Sequence, residues 1–131
     1  MSIRRVEFEV LRKRALHMVT MAENAFENGF YDVSCFLAEQ ALQLYLKAML
    51  LKLLGGYPRT HSIRRLLGEL SKLVDSRLEE FCRVNRVRLS ALEDAYLMAR
   101  YFVKPYYRED AEDMIKLVRD VIRLVDEVAG S

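Results

Sequence analysis

Coiled as a helix, the segment from Phe30 to Leu54 is apolar on almost every side. Leucines, alanines and methionine cover most of its circumference between Phe36 and Leu54. The polar remainder is one narrow line, Glu39, Gln43 and Lys47 at four-residue steps, with Gln40 beside it. A helix with one apolar stripe can lie on a surface, whereas one that is apolar all round has to be enclosed by neighbours. The chain is therefore expected to wrap other helices around this one, and the same surplus of apolar surface can extend into a subunit interface.

The flanking sequence supplies those neighbours. From Arg5 to Asn28, Phe8, Leu11, Ala15, Met18, Ala22 and Ala25 recur at three- and four-residue steps, with Asn28-Gly29 as the stop. A second helix begins almost at once, at Tyr31 or Asp32, so the two should form an antiparallel hairpin. Gly55-Gly56 ends it and Pro58 forbids immediate resumption. A short third helix is expected from Ser62 to about Val74, capped by Thr60 or Ser62, with Ile63, Leu66, Leu67, Leu70 and Leu73 inward. A fourth runs from about Arg77 to Tyr101 with an irregularity near Asn85, burying Leu78, Phe81, Cys82, Leu89, Leu92, Ala95, Tyr96 and Ala99. A fifth spans Glu109 to Ala129, with Glu109, Asp110, Glu112 and Asp113 crowding a first turn whose dipole favours anions. The expectation is an all-α, five-helix, up-and-down-type bundle, four long helices plus one short, with residues 1–131 as one domain.

Composition fits that picture. Hydrophobic residues make up 52% and charged residues 31% of 131 residues, a globular balance. The N-terminus carries charge where a signal peptide needs an apolar core, and Lys47 and Lys52 interrupt the longest apolar run, so a cytoplasmic protein with no membrane span is expected. Cys35 and Cys82 lack metal-ligand spacing and read as small buried side chains. A net charge of +2 is far from the footprint of a dedicated duplex-DNA binder. Of 21 basic residues 15 are Arg, which suits bidentate phosphate recognition, although genomic bias or a hot habitat produces the same surplus.

No glycine loop for phosphates and no paired histidine motif is present, so no metal or cofactor is expected. Chemistry is left with three places. Arg59-Thr60-His61 lies before the short helix, where free backbone N–H groups suit an anion; a plain hydrogen bond from His61 to a neighbouring loop is the simpler use. Arg100-Tyr101-Phe-Val-Lys104-Pro105-Tyr106-Tyr107-Arg108 joins the last two helices and can hold a phosphate and stack a base, or serve as an interhelical clasp or dimer contact. Arg83, Arg86 and Arg88 can track a nucleic-acid backbone, but a solvated basic face accounts for them more simply.

Taken in order, several segments resemble the HEPN family of small helical domains, often encoded beside minimal nucleotidyltransferases. Phe30-Tyr31-Asp-Val-Ser-Cys-Phe36-Leu-Ala38-Glu39-Gln40-Ala41, ending in Leu46-Lys47-Ala48, looks like that family's second helix. Pro58-Arg59-Thr60-His61-Ser62 with Leu66-Leu67 is similar to its helix 2–3 connection. Leu92-Glu-Asp-Ala95-Tyr96, Ala99-Arg100-Tyr101 and Tyr107-Arg108-Glu109-Asp110-Ala111 resemble its last two helices. The resemblance covers nearly the whole chain and implies a homodimer through central helices. In many members it also implies metal-independent RNA cleavage by an Arg followed, four to six residues on, by His.

Here the sequence departs from the family. Arg100 stands in the arginine's place, but positions 105 to 107 are Pro, Tyr and Tyr. The general acid–base group is missing, and a phenol, protonated at neutral pH, replaces it poorly. Arg12 and His17 have the motif's spacing only by coincidence, within the first helix. Some toxin–antitoxin pairs of the family place a tyrosine two residues beyond the histidine, where the partner enzyme attaches AMP; Tyr107 occupies that position. The resemblance thus implies a non-catalytic module that binds a nucleotide or RNA phosphate through Arg59, His61, Arg100, Tyr101, Lys104, Tyr106 and Tyr107, beside a separate nucleotidyltransferase. A ribonuclease using Arg100 with His61 or Tyr107 is the first alternative, and a purely structural oligomerisation bundle the second.

Overall fold

A computed structural model describes residues 2–101 and 104–130, those at 98–101 by their backbone alone. The described residues form helices and connections: α1 (Ile3–Glu27), α2 (Tyr31–Leu54), α3 (Ile63–Ser71), α4 (Ser76–Val84), α5 (Arg86–Tyr101) and α6 (Arg108–Val128). These are six helices among the described residues, where the sequence suggests five. The difference lies at Asn85. Its side-chain amide donates to the Phe81 carbonyl at 2.9 Å, competing with the helical ladder, and the backbone there leaves helical geometry at φ −104°, ψ 22°. The expected irregularity is thus a full break, and Leu78 before it and Leu89 and Leu92 beyond it are all buried in the same core.

The remaining boundaries follow local chemistry. Ser2 and Ser62 cap α1 and α3 by accepting from the backbone N–H groups of Arg5 and Arg65. Gly29 and Gly55 adopt φ of 78° and 84°, the left-handed conformation that a helix stop of this kind requires. The short helix ends at Ser71 instead of near Val74, so Leu73 lies outside it and is exposed.

Thirteen of the 24 residues of α2 are buried, and α1, α3, α5 and α6 all pack on it. Small side chains make the hairpin close: Ala15 and Ala22 of α1 and Ala38 and Ala41 of α2 have almost no exposed surface. Within the hairpin, the buried Ser34 hydroxyl donates to the Ala22 carbonyl at 2.8 Å, so burial leaves it satisfied. Each large apolar side chain that α2 withdraws from water, such as Leu42, Leu46 or Met49, contributes about 2 kcal/mol. No described helix is long and apolar enough to cross a membrane.

Candidate functional site

The polar line of α2 organises this side of the molecule. Glu39 has no exposed surface, and its carboxylate accepts from the Gln40 amide (2.8 Å) and the Gln43 amide (2.5 Å). Burial pushes its pKa up to about 7 against those two hydrogen bonds; the charge of Glu93 adds to the rise and Lys47 opposes it. One turn on, the Gln43 carbonyl oxygen lies 3.4 Å from His61 Nδ1. Another turn on, Lys47 places its ammonium 5.8 Å from the centre of the Tyr57 ring.

His61 reaches this line because α5 holds the start of α3 in place. Glu93 Oε1 accepts from the Ser62 hydroxyl (2.6 Å) and the Arg64 backbone (3.2 Å), while Oε2 accepts from the Arg64 guanidinium at 2.9 and 3.3 Å. Burial works to raise the Glu93 pKa, but these hydrogen bonds outweigh it and hold the carboxyl below its usual range. With the turn fixed, the exposed His61 ring stacks on Tyr96 of α5, centroids 4.8 Å apart and planes 15° from parallel.

Four residues beyond Tyr96, one helical turn along α5, comes Arg100. The side chains of Arg100 and Tyr101 lie outside the described residues. Arg59 is exposed in the same connection as His61. The third group sits before α6. Lys104 is exposed, with its ammonium 5.1 Å from the centre of the Tyr106 ring. Tyr106 itself is only 9% exposed, and its hydroxyl has no hydrogen-bond partner among the described residues. Burial pushes that phenol up to about 12, helped by Cys35, Asp94 and Asp110. Its ring is therefore closed to a stacking base in this structure. Tyr107 is exposed, and its backbone N–H donates to Asp110 Oδ2 at 2.8 Å, which fixes the entry into α6.

Along α2 the two loops occupy different stations. Tyr106 lies near Cys35, and His61 beside Gln43, eight residues or about 12 Å further on. Arg83, Arg86 and Arg88 stand apart from both. Arg83 pairs with Glu80, and Arg88 with Asp113 of α6. Arg86 lines a groove of about 470 Å³ between α3, α4 and α5.

Glu39, Gln43, Glu93 and Tyr96 are the members that reading for site residues missed. The first two had left a signal, as the lone polar positions at four-residue spacing on an otherwise apolar helix.

Known proteins with this architecture are helical domains of the same size. The chain resembles TT1696 from Thermus thermophilus with a TM-score of 0.77 and 27% identity, over 92% of this chain and 96% of that one. It shares its fold with ST0689, an archaeal HEPN homologue, at a TM-score of 0.69 and 21% identity, over 92% and 95% of the two chains. No curated protein matches it. The HEPN domain family itself matches from residue 8 to residue 128, through all six helices and both loops described above. The chain belongs to the HEPN domain family.

Proposed function

We propose that this HEPN domain is a non-catalytic module that binds a nucleotide or an RNA phosphate between the α2–α3 connection and the α5–α6 loop. One observation carries the reading: His61 stacks on Tyr96, a single helical turn before Arg100, so the α2–α3 connection reaches the helix that leads into the second loop. Arg59, Arg100 and Lys104 supply the cations for a phosphate, and Tyr107 is an exposed aromatic of the second loop. The position where an acid–base histidine would follow Arg100 holds Pro105, Tyr106 and Tyr107, which supports binding over cleavage. As a proposal on the same footing, the module works as a homodimer beside a separately encoded minimal nucleotidyltransferase, for which Tyr107 is an accessible acceptor.

The same placement favours a second reading, a metal-independent ribonuclease in which His61 takes the missing histidine's part. Calorimetric titration with AMP and with a short RNA, alongside an RNA cleavage assay, separates the two. The expected result is binding without cleavage, weakened at least tenfold by Arg100→Ala and by His61→Ala. Cleavage abolished by either substitution in folded protein would establish the ribonuclease. No binding of either probe would leave a structural bundle.

A further inference from the structure

The hydrogen bonds of Glu39 form a chain that runs outward. Once ionised, its buried carboxylate can only accept, so Gln43 must turn its amide N–H toward it, and the 2.5 Å contact is of that kind. The Gln43 carbonyl oxygen is then the atom left to face His61 Nδ1, at 3.4 Å. A carbonyl cannot donate, so the ring proton belongs on Nδ1. In a neutral imidazole that leaves a bare lone pair on Nε2, at the far side of an exposed ring held flat against Tyr96. Nε2 has no partner among the described residues. Stability alone gives no reason for Glu39, since a buried carboxyl in an apolar helix costs more than a well-packed leucine.

We infer that Glu39 and Gln43 are positioning residues that hold His61 in its Nδ1–H tautomer, so that Nε2 accepts a hydrogen bond from a donor group of the ligand. The partner of His61 is then a ribose hydroxyl or a base amino group; a phosphate oxygen, which only accepts, is left to the arginines. The ligand part rests on the nucleotide reading above, whereas the tautomer part stands without any ligand.

Nitrogen-15 spectra of the full chain at pH 8, where an ordinary imidazole is neutral and Glu39 is ionised, test this directly. His17, exposed on α1, is the internal reference. The expected result is an excess of the Nδ1–H form at His61 and not at His17. In Gln43→Met the ratio should fall by roughly three- to tenfold, the range one hydrogen bond supports. Glu39→Leu should move it the same way with Gln43 still present. A wild-type His61 in the Nε2–H form overturns the inference even if neither variant folds, and so does a ratio unchanged in folded Gln43→Met. AMP should perturb Nε2 and inorganic phosphate should not; the 2′-deoxy analogue and inosine monophosphate then separate a hydroxyl donor from an amino donor. AMP bound with Nε2 unmoved overturns the ligand part. Absence of AMP binding overturns the nucleotide reading and leaves the tautomer measurement to decide this one.

Discussion

Glu39 and Tyr45 both sit on α2 with no exposed surface, yet their hydrogen bonds lead in different directions. The Tyr45 hydroxyl donates to the Asp126 carboxylate of α6, which also accepts from the Arg12 guanidinium of α1 at 2.9 Å. Three helices are tied by groups that use each other up, and burial with the neighbouring carboxylate raises the phenol far above its ordinary range. The Glu39 chain instead passes through Gln43 and ends on an exposed ring whose other nitrogen has no partner among the described residues. Buried polarity serves cohesion at one station of the helix and presentation at the other.

The contrast has consequences that differ in size and sign. Asp126→Ala removes the acceptor that the Tyr45 hydroxyl and the half-exposed Arg12 guanidinium share, leaving the hydroxyl only the Ile122 carbonyl at 3.3 Å, and urea denaturation should show a loss of about 2 kcal/mol. A loss below about 1 kcal/mol would remove the cohesive role.

Glu39 should produce a pH dependence of its own. Its pKa rises from 4.5 in the unfolded chain to about 7 in the fold, so the folded state binds more protons between those values. Stability is then greatest below the lower value and falls as pH rises through the higher one. The loss between pH 5 and pH 8 should be roughly 2 kcal/mol, and Glu39→Gln should flatten that slope. An identical slope in the variant would assign it to other groups.

A smaller effect sharpens the comparison by its sign. Tyr45→Phe should lower stability by about 1 kcal/mol because it breaks a made hydrogen bond. Tyr106→Phe removes a buried hydroxyl that has no partner among the described residues, and should raise stability by up to about 1 kcal/mol. Equal losses in both variants would mean that Tyr106 is satisfied in solution.

What could be read from the sequence was whatever depends on near neighbours along the chain. The enclosure of α2, the Asn28-Gly29 and Gly55 stops, the Ser62 cap and the stripe of α6 are all properties of adjacent turns. The break at Asn85 was harder to see in full. Leu78 and Leu89 are eleven residues apart, three turns of a continuous helix, so the apolar pattern stays in phase across the interruption. The site was less legible because its contacts join distant residues. His61 meets Tyr96 across 35 positions, and nothing in the local pattern separates Tyr96, which forms a ring stack, from the core residues of the same stripe. Tyr106 shows the opposite ambiguity: beside Lys104 and Tyr107 it looks available to a ligand, and the fold encloses it.

The Arg12–Asp126 pair closes a loop of 114 residues. Contacts that span so much chain repay their entropy late, after the α1–α2 hairpin, built from near neighbours, has formed. The tie is therefore expected to form with the final docking of α6, and its free energy should fall on the unfolding limb and not on the refolding one. Weakening it shortens the lifetime of the closed bundle while leaving the speed of its assembly almost untouched. The lifetime of the His61 platform should therefore respond to a tie between the two ends of the sequence, far from the residues that touch it.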